Sequence, residues 1–278
     1  MSRTFRLLNS TLSQFILIFF AILFLIPLYL LLRNSLMTEL EITAWDWVFW
    51  PEVTQWQNYP ELFADPFVPM LNGFKNSAII ATVTVVVQIS LSCMAGYALA
   101  RVPFKYSNIV LWFVLITFLV PLQAMFVPQF VLIAKIGWVN TWQGLIVPGV
   151  FNAFNTFMFR QYFLSFPADL EDAGKVDGLN YFGIFWRLAL PNAWPIIIAL
   201  GSLTLVNSWN AFLWPLVIGQ GREWWTIQVN ISTFLTAQVV VLHSAFAAAF
   251  LGALPVLVLF FVLQRYIAQG ITRSGIKG

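Results

Sequence analysis

The chain carries eleven Asp and Glu, fourteen Lys and Arg, and a single His. Where these groups are missing decides which chemistry is open to it. Six stretches of more than twenty residues hold no Asp, Glu, Lys or Arg: 7–32, 76–100, 106–134, 136–159, 188–221 and 224–264. Proton-coupled carriers and pumps work through a membrane-embedded Asp, Glu or His. Only His243 falls in such a stretch, at the outer end of the last expected helix, where it reads as an interfacial residue. A hydrolase or metalloenzyme would want a His/Asp/Glu cluster there, and the stretches contain none. Gly174-Lys175 is followed by Val176 with no upstream glycine in register, so no phosphate-cradling P-loop is present. The sequence predicts a chain that neither hydrolyses ATP nor catalyses.

Neutral polar groups are spread through the same stretches. Asn152 and Asn155 stand three apart; Gly201, Thr204 and Ser208 form a stripe with Asn207 and Asn210 beside it; Gln88, Ser92 and Gly96 repeat every four residues. A carboxamide facing hydrocarbon is costly, so such stripes turn away from lipid. They serve either helix–helix contact or a polar, uncharged lining for a translocation path. The second reading suits a neutral, hydroxyl-rich solute and makes Asn152, Asn155, Asn207 and Asn210 the candidate pathway residues. Prolines 121, 128, 195 and 215, within these stretches, free carbonyls locally.

The elements that must position these groups follow from composition. Of 278 residues, 60% are hydrophobic and 9% charged, with a mean hydropathy of +0.82. A soluble domain carries about 25% charged residues, so the solvent of this sequence is lipid. Crossing ~30 Å of hydrocarbon at ~1.5 Å per residue takes about 20 residues of helix. The expected fold is therefore an all-α integral membrane protein, a single transmembrane domain over 1–278. Its six transmembrane helices are expected at about 11–34, 75–100, 107–133, 143–165, 192–217 and 244–265. The polar first half of the last stretch, from Thr226 to Gln238, reads as an external loop.

With both termini cytoplasmic, Arg3, Arg6, Arg101, Lys105, Arg160, Lys175, Arg187, Arg265, Arg273 and Lys277 lie inside. Arg33, Lys75, Lys135 and Arg222 then lie outside, and this bias sets orientation. The net charge of +3 thus reflects the membrane and not nucleic acid. The basic N-terminus precedes an apolar run with no cleavage motif, so a retained first helix is expected. Cys93 is a small packing residue with no partner for a disulfide. Tryptophans 45, 47, 50, 56, 138, 142, 214, 224 and 225 fall near the outer face. They form an aromatic belt, or a surface for an external partner or for sugar rings.

The longest cytoplasmic connection, 167–191, opens Pro167-Ala168-Asp169-Leu170-Glu171-Asp172-Ala173-Gly174 and continues Lys175-Val176-Asp177-Gly178. Proline before an acidic first turn starts a helix, Gly178 stops it, and Tyr181 to Leu190 makes a second short amphipathic piece. A helix–turn–helix on the inner face is something a peripheral protein can grip.

This loop resembles the signature of ABC importer permeases, E-A-A-x3-G-x9-I-x-L-P. Here Asp172-Ala173-Gly174, three residues, Gly178, nine residues and Leu188-Ala189-Leu190-Pro191 keep that spacing throughout. The departures are Asp for Glu, Gly for the second Ala and Leu for Ile. The resemblance points to the smaller, MalG-like subunits of maltose-type carbohydrate importers. It extends to Asn58-Tyr59, Asn76-Ser77, Tyr97-Ala98-Leu99-Ala100-Arg101, Thr141 with Gly144-Leu145-Ile146-Val147-Pro148, and Arg160-Gln161-Tyr162-Phe163. It continues with Trp209-Asn210, Pro215-Leu216, Gln264-Arg265, Gly270-Ile271-Thr272 and Ile276-Lys277-Gly278.

The resemblance implies alternating access by two permease subunits, usually different, above two cytoplasmic ATPases, with an external solute-binding protein delivering the sugar. ATP and Mg²⁺ are expected on those ATPases, and no cofactor on this chain. It further implies that Glu171, Asp172, Ala173 and Gly174 form the helix that docks in the ATPase. Gly178 would make the turn, Asp177 would cap or brace the following helix, and Pro191 would mark re-entry into the bilayer. The tail from Gly270 to Gly278 would reach the ATPases. The competing expectations are an ATP-independent carrier or facilitator for a neutral polar solute, and a purely structural membrane subunit.

Overall fold

The computed structural model describes the backbone of residues 3–236 and 240–275, and side chains over 12–264 apart from 122 and 237–239. Among the described residues the chain is helical, with no strand. This is what long uncharged runs dictate, since a helix satisfies every backbone N–H and C=O within the segment. In order come α1 (Arg3–Ser35), α2 (Glu39–Thr43), α3 (Asn58–Ala64), α4 (Met70–Arg101), α5 (Ser107–Leu119), α6 (Leu122–Lys135) and α7 (Trp142–Ile146). A 3-10 turn, Val147–Gly149, leads to α8 (Ala153–Leu164) and α9 (Ala168–Val176). Then α10 (Tyr181–Ile184) runs through a π-helical turn, Phe185–Ala189, into α11 (Leu190–Asn192). The chain ends with α12 (Trp194–Trp209), α13 (Leu213–Ile218), α14 (Ile227–Thr236) and α15 (Leu242–Gly275).

Among the described residues three helices are long and apolar enough to cross a membrane: Leu12–Ser35 of α1, α4, and Leu242–Gln264 of α15. Two bent pairs bring the number to five if each is one span: α5 with Gln123–Lys135 at 100°, and Tyr181–Asn192 with α12 at 75°. The expected third span, 107–133, breaks because Pro121 lacks an N–H and both Val120 and Pro121 adopt extended backbone. The expected fourth, 143–165, is not one helix: Pro148 and Gly149 interrupt it, and α8 restarts only after Asn152. The fifth stops at Trp209 and resumes as α13. The expected external loop at 226–238 holds a helix instead, α14, whose Ile227, Val229, Asn230 and Phe234 are buried. Its polar residues concealed that inward stripe. The end of the sequence, 276–278, lies outside the described residues, as do the side chains from 265 onward.

The chain divides into two compact units, residues to Met70 with Asn230–Leu254, and Leu71–Val229 with the residues from Pro255 on. In the first, the buried Asn58 carboxamide donates to the carbonyls of Ser35 (2.9 Å) and Met37 (3.1 Å). The Tyr59 hydroxyl meets Ser35 Oγ at 2.7 Å. The Asn-Tyr pair thus ties α3 to the end of α1 and satisfies carbonyls a helix end leaves open. Glu39 accepts from the N–H groups of Leu242 (3.0 Å) and His243 (3.4 Å) at the start of α15, and lies 3.0 Å from His243 Nδ1.

In the second unit, Asn76 donates to the carbonyls of Glu223 (2.8 Å) and Trp225 (2.9 Å), and Ser77 Oγ accepts from the Ile227 N–H (2.9 Å). The Trp214 indole N–H donates to the Gly144 carbonyl at 3.0 Å. The main core gathers Cys93, Tyr97, Phe159, Phe163, Phe185 and neighbours from α4, α8 and the connection after α9. Where such helices meet, close packing and small residues hold them rather than expulsion of water. At Gly96 an added Cβ would come within 2.5 Å of Phe159 Cβ and 2.8 Å of Arg160 N, so α4 and α8 touch through a residue only glycine can supply.

Candidate functional site

Residues 167–192 fold as a two-limbed knob. Pro167 precedes α9, whose first turn holds Asp169 and Glu171 against the positive end of the helix and whose last turn holds Lys175. The helix ends on Gly178, at φ +81°. The Gly178 N–H donates to the Lys175 carbonyl (3.0 Å) and the Leu179 N–H to the Gly174 carbonyl (2.9 Å). This is a Schellman stop, which asks for left-handed backbone that L side chains resist. Asp177 closes α9 and does not cap α10, contrary to expectation. The cap is Asn180, whose Oδ1 accepts from the Gly183 N–H at 2.8 Å. A one-residue gap between stop and cap is why the turn is sharp.

The limbs pack through Gly174, where an added Cβ would stand 2.9 Å from Leu188 Cδ1 and 3.3 Å from Ile184 Cγ1. The departure from Ala at this position therefore permits closer packing while weakening helix propensity by about 1 kcal/mol. Leu188, from the far end of the signature, is folded back toward it. Pro191 sits within α11, and the chain turns at Ala193 two residues later, so the re-entry bend falls just beyond the proline.

The outward surface of the knob combines charge with bare apolar groups. Asp169, Asp172, Ala173, Asp177 and Gly178 are exposed, as are Val176 (87%) and Phe182 (68%). Asp172 accepts from Lys175 Nζ at 2.8 Å, which holds that ammonium above its usual pKa.

Glu171 faces the other way. It is buried, and Oε1 lies 3.3 Å from Arg101 Nε, the two side chains 8% and 16% exposed. The Arg101 Nε–H itself is aimed at the Phe163 carbonyl (2.7 Å), and the guanidinium also donates to the carbonyls of Leu164 (3.4 Å) and Phe166. The contact with Glu171 is thus electrostatic rather than a directed hydrogen bond, and Glu171 Oε1 and the Tyr97 hydroxyl beneath it have no hydrogen-bond partner among the described residues. In one dimension Arg101 reads as a topological residue and Glu171 as a docking residue; the fold brings the two together.

The candidate pathway residues do not form one group. Asn155 is buried in a clasp of three helices: its amide donates to Gln88 Oε1 and Thr204 Oγ1, each at 3.0 Å, and Thr204 donates to Gln88 Oε1 at 3.1 Å. The Gln88 amide donates to the Gly149 carbonyl. Asn152 Oδ1 caps α8 through the Asn155 N–H at 2.9 Å. Asn207 is exposed on α12, and Asn210 accepts from Gln228 at 3.2 Å. Gln88 and Thr204 stood in the sequence stripes, but their shared partner Asn155 is 67 and 49 residues from them, beyond any periodicity.

A helical membrane protein with an apolar-tipped knob set between its membrane helices is the class these features define. Residues 88–273 match the family described as the inner membrane component of binding-protein-dependent transport systems. The arabinooligosaccharides transport system permease protein AraQ of Bacillus subtilis (strain 168) is 34% identical over 93% of this chain and 92% of its own. The lactose transport system permease protein LacG of Rhizobium radiobacter is 33% identical over 78% and 79%. A solved bacterial ABC transporter involved in import of the acidic polysaccharide alginate contains a chain of the same fold. It matches with a TM-score of 0.84 at 22% identity, over 96% of this chain and 98% of that one. The chain belongs to the family of binding-protein-dependent transport permeases, and it is a multi-pass protein of the inner membrane.

Proposed function

We propose that this chain is the membrane subunit of a sugar importer and that the knob at 167–192 docks into a separate cytoplasmic ATPase. The observation carrying this reading is a tightly braced projection whose exposed apolar residues, Val176 and Phe182, have no reason to face water unless a protein covers them. Asp169, Asp172 and Asp177 around them supply a polar rim. The permease would cross the bilayer six times with both termini inside, taking the two bent pairs as spans and the interrupted segment from α7 to α8 as the sixth. A second permease subunit completes the pathway, two ATPases carry ATP and Mg²⁺, and an external solute-binding protein delivers the substrate.

A neutral di- or oligosaccharide fits the absence of carboxylates from the uncharged stretches and the names of the AraQ and LacG relatives. Asn207 and Asn210 are the pathway candidates on this reading, while Asn152 and Asn155 are engaged by the fold. The test is tagged purification from native membranes with identification of co-eluting proteins. Recovery of an ATPase and a second permease, with the ATPase lost on Val176→Asp plus Phe182→Asp, is the expected result. Sugar transport by this chain alone in ATP-free liposomes would replace the reading with a carrier.

A further inference from the structure

We infer that Arg101 is a positioning residue of the importer: a strut that makes the knob, the end of α4 and the end of α8 move as one body. The inference rests on the docking reading of the knob and adds the route by which its displacement enters the membrane helices. Three observations converge on one guanidinium. Arg101 is the last residue of α4. It donates to the carbonyls of Phe163, Leu164 and Phe166 at and just beyond the end of α8, the first of which also accepts the Phe166 N–H. It also stands against Glu171, the one acidic residue of α9 that turns inward.

The chemistry makes the joint stiff. Guanidinium is planar and always charged, so it bridges several acceptors in fixed geometry where an ammonium serves as a point charge. Both partners are shielded from water, and a buried charge cannot leave its counter-charge cheaply. When the exposed face of α9 is pushed, Glu171 therefore draws Arg101, and Arg101 draws two helices. The apolar contacts beside it, Tyr97 against Phe163 at 5.3 Å and Phe185 at 5.1 Å, fill the same joint without directing it. The Tyr97 hydroxyl and Glu171 Oε1, both short of hydrogen bonds, mark the joint as incompletely satisfied as it stands.

The experiment uses the complete importer, with partner permease, ATPases and binding protein, in proteoliposomes. Glu171→Gln keeps the shape and leaves the carbonyl contacts of Arg101 in place while removing the charge that ties the knob. The expected result is an assembly with its full complement of ATPase in which sugar delivered per ATP hydrolysed falls roughly tenfold, within the ~5–150-fold range of coupling between distant sites. Arg101→Lys, which keeps charge without the fork, gives a smaller loss. Arg101→Lys combined with Glu171→Gln loses no more than the worse single variant, because both act on one tie.

Unchanged sugar per ATP in an assembled Glu171→Gln importer would overturn the strut, and so would losses that multiply. If that variant does not assemble, Glu171→Asp keeps the charge one methylene shorter, and its coupling must still drop. The docking reading fails separately: it is wrong if Val176→Asp plus Phe182→Asp retains the ATPase. If those changes release the ATPase but Glu171→Gln transports with normal yield, only the strut falls.

Discussion

Gly178 offers a clean perturbation, because sterics and backbone strain separate there. Its φ is +81°, yet a Cβ built on it meets nothing within 4 Å. Substitution therefore carries no clash, only the cost of holding an L residue in left-handed backbone, about 1–2 kcal/mol. Removing glycine also narrows the unfolded ensemble, which returns about 0.4–1 kcal/mol. The net for Gly178→Ala is a loss of about 1 kcal/mol, a roughly fivefold rise in the open population of the turn at 1.4 kcal/mol per decade. Asn tolerates this conformation better and Val worse, so the order of damage is Asn, then Ala, then Val. Hydrogen exchange reads it directly at Gly178 and Leu179, whose N–H groups close the Schellman stop. On the coupling reading, binding-protein-stimulated ATP hydrolysis by the whole importer falls in the same order. Equal exchange in the Asn and Val variants would refute the backbone argument. Rising exchange with unchanged stimulated hydrolysis would detach the turn from coupling.

Two further outcomes follow from the remaining geometry. Gln88 makes three hydrogen bonds, to Asn155, Thr204 and Gly149; at about 0.6 kcal/mol each inside a membrane protein, Gln88→Leu costs about 2 kcal/mol. Thr204→Val removes two bonds, one of them shared, so unfolding in detergent should show the double variant about 0.6 kcal/mol short of the sum. Full additivity would mean the clasp is not shared. At Glu39, partial burial raises the carboxyl pKa, but the N–H groups of Leu242 and His243 and the His243 ring outweigh it and hold the group below 4.5. A depressed pKa means stability that is complete above the unfolded value and is lost as pH falls through about 4.5 and below. The melting temperature should drop over that window, and Glu39→Gln should flatten the drop; an identical slope in the variant would place the titration elsewhere.

How much of this was legible depended on range. The knob could be read in one dimension because each of its devices is local. Proline, acidic first turn, glycine stop and second limb fall within 26 residues, and backbone preferences alone place them. Only the cap slipped, from Asp177 to Asn180, since both residue types cap helices and the choice turns on one residue of loop length. The uncharged stretches gave helices for an equally local reason, but not their breaks, because Pro121, Pro148 and Ala193 interrupt runs that hydropathy sees as continuous.

What escaped was tertiary. Asn58-Tyr59 and Asn76-Ser77 were visible as pairs, but the backbone groups the asparagines fill, carbonyls 21 to 149 residues away, were not. Asn155 looked like a lining residue for the same reason it became a clasp: a carboxamide among apolar residues must find partners, and sequence does not say whether these are solute or protein. Arg101 and Glu171 show the other side of that ambiguity. Each was assigned by its own segment, one to orientation and one to docking, and the pairing of the two turns a loop that touches a partner into one that can also pull on the helices behind it.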